Sequence, residues 1–113
     1  MKDAIRDKGR LEHMLSAIER VFEFTQGLTK ESLSADVLRL HATIYNVQII
    51  GEAVYKLTDD FKKSHPQTMW VQIEKMRHIL VHDYYHINMD VLWIVVTEDL
   101  KPLQEQIKSY LTE

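Results

Sequence analysis

The sequence predicts an all-α protein, an antiparallel up-and-down four-helix bundle formed by residues 1–113 as a single domain. Apolar residues recur at steps of three and four along most of the chain, which is the spacing of amphipathic helices. The chain has only three Gly and two Pro, too few for the turns of a β-sandwich or barrel. It has no Cys, which excludes a disulfide scaffold and a thiolate metal site.

The first two predicted helices each carry one continuous apolar stripe. The first stripe covers residues 11–22, and Gly27 lies in the turn that ends this helix. The second stripe covers residues 37–54, and the helix that contains it is predicted to begin at a Ser32 or Ser34 cap.

The middle of the second helix contains two unusual residues. Gly51 costs about 1 kcal/mol relative to Ala in a helix, so close approach of another helix is the expected reason for it. Glu52 lies next to it in a stretch with few other charges, which favours an ion pair with an arginine of another helix. The helical pattern fades after Phe61.

The third helix is predicted to begin near Thr68 or Trp70, and the last helix at an Asn88 or Asp90 cap. Pro102 lies inside the apolar pattern of the last helix. It should bend that helix, because it has no N–H to donate and crowds the preceding turn.

Two aromatic residues, Trp93 and Tyr110, exceed what one core-facing stripe of the last helix needs. An extra apolar face on a small bundle predicts a homodimer. No apolar run is long enough to span a membrane and the charged N-terminus is unlike a secretory signal, so a cytoplasmic location without membrane attachment is expected.

Charge is unevenly distributed although the formal net charge is only −3. Residues 61–87 contain four basic and two acidic side chains and four of the six histidines. This segment is locally positive, and it becomes more so when its histidines are protonated.

Candidate chemistry is concentrated in residues 75–86. On an ideal helix Arg77 and Tyr84 fall on the apolar face around Ile73, where an arginine and a phenol need partners. His82 would point roughly 140° away from Arg77 on the same helix. Either the helix loosens after Leu80, or a cleft contacts it from both sides.

A metal site is an alternative interpretation of the same segment. His78, His82 and His86 are spaced by four residues, with Asp83 and His65 as further candidate ligands. Three such histidines span about 12 Å of a regular helix, too far for one ion, so no bound metal is expected. Three surface histidines without a function are the other alternative.

The sequence has no Gly-rich phosphate loop and no Gly-x-Ser-x-Gly motif.

Several motifs resemble one protein family. The pattern Arg77-x-x-x-x-His82-x-Tyr84 resembles the signature of HEPN domains and, in its Tyr-containing form, that of HepT toxins. Further segments resemble the family in the family's order: Ile50–Ala53, Pro66–Trp70, Val91–Trp93 and Asp99–Leu103. The chain departs from the family at His78, where Asn is common.

The resemblance implies a metal-independent endoribonuclease that needs no cofactor. His82 matches the residue that takes the proton of the RNA 2′-OH, and Arg77 matches the residue that stabilises the charge on the phosphate. A general acid is still required. His78 is a candidate auxiliary residue for it, and His82 of a second subunit is another.

The resemblance also implies a toxin–antitoxin pair. Its HepT-like member would cut tRNA or mRNA, and an MNT-type nucleotidyltransferase antitoxin would inhibit it by attaching AMP to Tyr84. Packing of Tyr84 against the third helix is the simpler alternative for this residue. The alternative function is a non-catalytic HEPN-like module that binds nucleotide, RNA or protein.

Overall fold

The protein is described here by a computed structural model that covers residues 2–78 and 87–113. These residues form α-helices and no strand, which confirms the predicted all-α class. A 3-10 turn, Lys75–His78, extends α5, and a π-helical turn, Val95–Asp99, joins α6 to α7. The helices are α1 (Lys2–Thr25), α2 (Lys30–Ala35), α3 (Val37–Lys56), α4 (Asp59–Ser64), α5 (Trp70–Glu74), α6 (Met89–Ile94) and α7 (Leu100–Leu111).

The core is organised around α3, which packs against α1 on one side and against α5 with its 3-10 turn on another. The far end of the chain closes the core, because α7 packs on α1. The apolar faces of these helices and of α6 supply the buried side chains. Those with no exposed surface include Met14, Ile18, Val21, Ile44, Val47, Ile50, Leu92, Leu100 and Ile107.

The start of α3 differs from the prediction that Ser32 or Ser34 caps it. Asp36 is the cap, and its carboxylate accepts the backbone N–H of Arg39 at 3.1 Å. Ser32 belongs to the separate helix α2: its hydroxyl accepts the N–H of Thr29 at 2.8 Å, and the Thr29 hydroxyl accepts the N–H of Ser32 at 3.0 Å. This reciprocal capping box begins α2 seven residues before α3 starts.

The end of α3 also differs from the prediction, because the helix ends at Lys56 and not after Phe61. Thr58 begins α4, and its hydroxyl accepts the N–H of Phe61 at 3.2 Å. The buried carboxylate of Asp7 accepts both the N–H of Thr58 at 2.9 Å and its hydroxyl at 2.6 Å. The carboxylate that α1 buries is thereby hydrogen-bonded, and it fixes the break between α3 and α4.

The predicted disturbance at Pro102 takes the form of a π turn located just before it. The N–H of Leu100 donates to the carbonyl of Val95, five residues earlier, in place of the usual four. Pro102 has no N–H with which to continue the regular ladder, so the register changes in the turn that precedes it.

The prediction that Tyr110 is surplus to the core was wrong, because this residue is only 6% exposed. Its ring packs against Phe61 and Trp70 at centroid distances of 5.8 and 6.1 Å. Its hydroxyl forms a short hydrogen bond with the hydroxyl of Thr68. Tyr110 therefore belongs to an aromatic cluster that joins α4, α5 and α7.

Apolar side chains other than Tyr110 are exposed on the described surface. Leu38 is 84% and Tyr45 is 65% exposed, and both lie on α3. Trp93, the other predicted surplus residue, is partly buried against the core. Among the helices in the described ranges, none is both long and apolar enough to cross a membrane.

His65 joins the aromatic cluster to Glu113. The Nδ1 of His65 lies 2.9 Å from the carbonyl oxygen of Phe61, and its Nε2 lies 2.9 and 3.1 Å from the carboxylate oxygens of Glu113. Burial of the ring opposes its charged form, but hydrogen bonds to the Phe61 carbonyl and the Glu113 carboxylate outweigh it. The pKa of His65 is therefore raised above its ordinary value of 6.5.

This contact predicts that the protein loses stability as the pH rises through neutrality. A folded-state pKa above the unfolded one contributes stability that is fully present below the unfolded pKa and is lost as pH rises through the folded pKa. Urea denaturation between about pH 6 and 8 should therefore show a smaller decline for His65→Gln and Glu113→Gln than for the wild type. The exposed His41→Gln is the control, and equal declines in all four proteins would contradict the prediction.

Candidate active site

The candidate site is built where the middle of α3 touches the 3-10 turn that follows α5. A Cβ atom placed on Gly51 would lie 2.4 Å from the backbone N of Arg77 and 3.1 Å from its Cβ. It would also lie 3.0 Å from the carbonyl oxygen of Glu74. The two backbones are therefore too close for any side chain at position 51, which confirms the predicted reason for this glycine.

The side chain of Arg77 is held by residues that lie one and four positions after Gly51. Its guanidinium carbon lies 3.8 Å from the centre of the Tyr55 ring, a cation–π contact. Its Nη1 lies 3.8 Å from an oxygen of Glu52, which confirms the predicted ion pair between this carboxylate and an arginine. Arg77 is half-buried, with 24% of its side chain exposed.

Neither of these two contacts uses an N–H of Arg77 as a hydrogen-bond donor. The Glu52 oxygen is 3.8 Å from Nη1, farther than a hydrogen bond, and the guanidinium carbon lies over the Tyr55 ring at 3.8 Å from its centre, the separation of two flat groups in face-to-face van der Waals contact. The positive charge is thus partly balanced and the group is oriented. The edge that carries the donors can still bind an anion.

His78 contacts another part of the Arg77 side chain, the Nε–H. Arg77 Nε donates to His78 Nε2 at 3.4 Å. The nitrogen that accepts this bond carries no proton, and the other ring nitrogen, Nδ1, is buried. In this arrangement His78 orients Arg77 and has no exposed proton to give to a substrate.

The ideal helix used to place the motif from sequence does not apply here. The chain changes from α-helix to a 3-10 turn at Lys75, so the angular positions expected for later residues are altered. The structure brings Arg77 and His78 together. The other predicted site residues, His82 and Tyr84, lie outside the described residues.

The metal-site alternative receives no support from the residues that are described. Among residues 2–78 and 87–113, no three His, Asp or Glu side chains are grouped so that they could hold an ion. Both ring nitrogens of His65, one of the candidate ligands, are hydrogen-bonded within the aromatic cluster and to Glu113. His82, Asp83 and His86 lie outside the described residues.

A groove of about 530 Å³ runs beside the candidate site without including Arg77. Ile73 and Met76 lie on one of its walls, and Val95 and Leu103 on the other. Asp99 lies at its edge, where burial and the neighbouring Glu98 raise the pKa of the Asp99 carboxyl. The groove is mainly apolar, so its chemistry differs from that of the arginine site.

Sequence reasoning missed Tyr55. It was hidden because a tyrosine near the end of a helix resembles an ordinary surface residue. Its position three residues after Glu52 was the available signal, since residues three apart share one face of a helix.

Comparison with known proteins identifies related sequences. The sequence model of the family described as "Ribonuclease HepT-like" matches residues 14–110. A protein of Thermococcus cleftensis, provisionally named ribonuclease HepT, is 37% identical over 102 residues, which cover 90% of this chain and 93% of that protein. A protein of Caldanaerobacter subterraneus subsp. tengcongensis, provisionally named an RNase, is 32% identical over 101 residues, which cover 89% and 90% respectively. No solved structure matches significantly.

The contact at Gly51 predicts the effect of adding a single methyl group. Gly51→Ala should destabilise the protein by about 1–3 kcal/mol in chemical denaturation, because backbone atoms of the 3-10 turn must move. Gly9→Ala is the matched control: nothing lies within 4 Å of its added Cβ in α1, so this change should be neutral or stabilising by up to about 1 kcal/mol. Equal stability of Gly51→Ala and the wild type would show that the close approach is not a constraint.

Proposed function

This chain belongs to the HepT-like ribonuclease family, and on that premise we propose that it is a metal-independent endoribonuclease that uses Arg77 and His82. The observation that carries the proposal is the set of contacts that the guanidinium group of Arg77 makes. Its guanidinium group lies over the Tyr55 ring and is partly charge-balanced by Glu52, while neither of them takes a hydrogen bond from its donor edge. A structural arginine would instead be expected to spend its donors on a carboxylate or on carbonyl groups.

The proposed reaction uses the nucleophile that RNA carries. His82 takes the proton from a 2′-OH, whose oxygen attacks the neighbouring phosphorus and forms a 2′,3′-cyclic phosphate. The bond from phosphorus to the 5′-oxygen breaks, and this oxygen must receive a proton. Arg77 binds the non-bridging oxygens and stabilises the negative charge that they gain in the transition state.

The proton for the leaving 5′-oxygen needs a separate donor. His78 was the auxiliary candidate, but its Nε2 accepts a hydrogen bond from Arg77 and its Nδ1 is buried. These contacts favour His82 of a second subunit as the general acid, and they give His78 the role of orienting Arg77. The proposed enzyme is therefore a homodimer with facing sites.

An exposed stripe on α3 supports the dimer. Leu38, Tyr45 and Glu52 follow one another at intervals of seven residues, which places them on one face of the helix. Leu38 and Tyr45 are exposed apolar side chains, and Glu52 belongs to the candidate site. A second copy that covers this stripe would reach the site of the first copy.

The dimer proposal predicts which substitutions separate the subunits. Sedimentation of the wild type at micromolar concentration should give twice 13.4 kDa, and Leu38→Arg should reduce the mass toward 13.4 kDa, because the charge would be buried in the interface. Val71→Arg introduces the same charge at a similarly exposed residue of α5 and should leave the mass unchanged. A wild-type mass near 13.4 kDa would overturn the dimer.

The nuclease proposal predicts that Arg77→Ala and His82→Ala each abolish RNA cleavage. Arg77→Lys should recover little, since lysine keeps the charge but not the two-pronged donor geometry. Wild-type activity should persist in EDTA and yield ends with a 2′,3′-cyclic phosphate, and circular dichroism should show unchanged helical content in all variants. Lys63→Ala, an exposed cation of α4, is the control.

The outcome of this assay separates the nuclease from its alternatives. RNA binding without cleavage would favour the non-catalytic module. Loss of activity in EDTA that zinc restores would favour the histidine metal site.

We also propose that the protein is the toxin of a toxin–antitoxin pair and that a partner nucleotidyltransferase transfers AMP from ATP to the phenol oxygen of Tyr84, which loses its proton as pyrophosphate is released. Tyr84 lies two residues after His82 in the HepT-like motif. AMP on the phenol oxygen of Tyr84 would form a negatively charged phosphodiester on a residue only two positions from His82 in the sequence. Such a group would compete with the phosphate of RNA for Arg77 and repel the substrate.

Co-expression with an MNT-type nucleotidyltransferase tests this regulation. Intact-mass measurement should show a gain in multiples of one AMP, with loss of nuclease activity. Tyr84→Phe should prevent the gain, and Tyr85→Phe is the matched control that should still be modified. Modification at another residue, or full activity of the modified protein, would refute the proposal.

A further inference from the structure

Tyr55 contacts the one arginine that the proposed reaction depends on. The centre of its ring lies 3.8 Å from the guanidinium carbon of Arg77, a distance at which the two flat groups are in van der Waals contact. The ring itself is 53% exposed, so it contributes little to the hydrophobic core. Its principal described contact is therefore with Arg77.

We propose that Tyr55 is a positioning residue that holds Arg77 by its face and so leaves the donor edge for the substrate phosphate. This inference rests on the proposed nuclease function and deepens it. Nothing in the HEPN-like motif Arg77-x-x-x-x-His82-x-Tyr84 includes this residue.

The physical argument is a comparison of ways to fix an arginine. A carboxylate at hydrogen-bond distance would use two of the five donors and reduce what remains for a phosphate. An aromatic ring attracts the cation through its quadrupole and takes no donor. The long Arg77 side chain also loses conformational freedom in the free enzyme, so less is lost when the substrate binds.

Glu52 complements the ring without replacing it. Its oxygen is 3.8 Å from Nη1, so it balances the charge but does not fix the orientation as a short hydrogen bond would. The orientation must then come from Tyr55 on the face and from His78 at Nε. Glu52 and Tyr55 lie on adjacent turns of α3, and Gly51 brings that helix to Arg77.

The test removes the ring while keeping an apolar side chain and the helix. Tyr55→Leu removes the π face, and we expect kcat for cleavage of a single-stranded RNA to fall about 10-fold, with KM changed less than about twofold. Tyr55→Phe keeps the face and should retain kcat within about twofold of the wild type. Both variants must sediment and melt like the wild type, which is expected because the residue is half-exposed and leucine favours helices.

Glu52→Gln distinguishes the carboxylate from the ring. The leucine variant should reduce kcat in the Glu52→Gln background by a similar factor, since the ring acts on the face of Arg77. An unchanged kcat in Tyr55→Leu overturns the proposal. A raised KM with unchanged kcat also overturns it and assigns the ring to base binding instead.

A second measurement does not depend on nuclease activity. A guanidinium group over a ring face experiences the ring current, so the Arg77 side-chain protons should be shifted upfield in NMR spectra of the wild type and Tyr55→Phe, and not in Tyr55→Leu. The Arg77→Lys variant assigns the signals. If the wild type cleaves no RNA, the proposed function fails, and these shifts still decide whether Tyr55 positions Arg77. Equal shifts in all three proteins would refute the positioning role.

Discussion

The close approach of two backbones at Gly51 is the constraint on which the candidate site depends. A Cβ there would lie 2.4 Å from the backbone N of Arg77, a separation that folded proteins do not tolerate. Because α3 and the 3-10 turn approach this closely, the side chains of Glu52 and Tyr55 can contact the guanidinium group of Arg77. With a wider gap, Glu52 and Tyr55 would lie farther from the guanidinium group, which would then be freer to rotate.

The aromatic cluster stabilises the start of α5, the helix that leads into the turn containing Arg77. Trp70 begins α5, and its indole nitrogen donates to the carbonyl of His65 at 2.9 Å. Tyr110 of α7 packs on this ring. The position of the turn that contains Arg77 therefore depends on two contacts: the close approach of Gly51 in α3 to the turn, and the anchored start of α5 a few residues before it.

The sequence predicted those features that follow from rare residues in regular patterns. Gly51 and Glu52 stood out because a glycine and a lone carboxylate are costly in a buried helix, and both have the role expected of them. The prediction of the α3 cap was wrong because several residues within one short stretch have side-chain oxygens that can cap a helix: Thr29, Ser32, Ser34 and Asp36. Their choice depends on where α2 must turn to reach α3, which is a tertiary property.

Other features required knowledge of distance between elements. Tyr110 was interpreted as surplus because a helical stripe does not show that α4 and α5 supply a further apolar surface for it. Tyr55 was missed because its role exists only through a contact with a residue 22 positions later. The sequence predicted a bend at Pro102 and the structure has a π turn just before it, since a bend and a π turn both accommodate the missing N–H.

The π turn between α6 and α7 has a consequence for how this protein can change during evolution. In this turn the bonded groups belong to residues five positions apart, one more than in an α-helix. The turn is therefore equivalent to a one-residue insertion that the helix accommodates. Residues on either side of Val95–Asp99 can keep separate rotational phases, and α6 and α7 can each meet the core with their own face. Gain or loss of a single codon in this turn would therefore rotate α6 relative to α7 about the helix axis, while both segments remain helical.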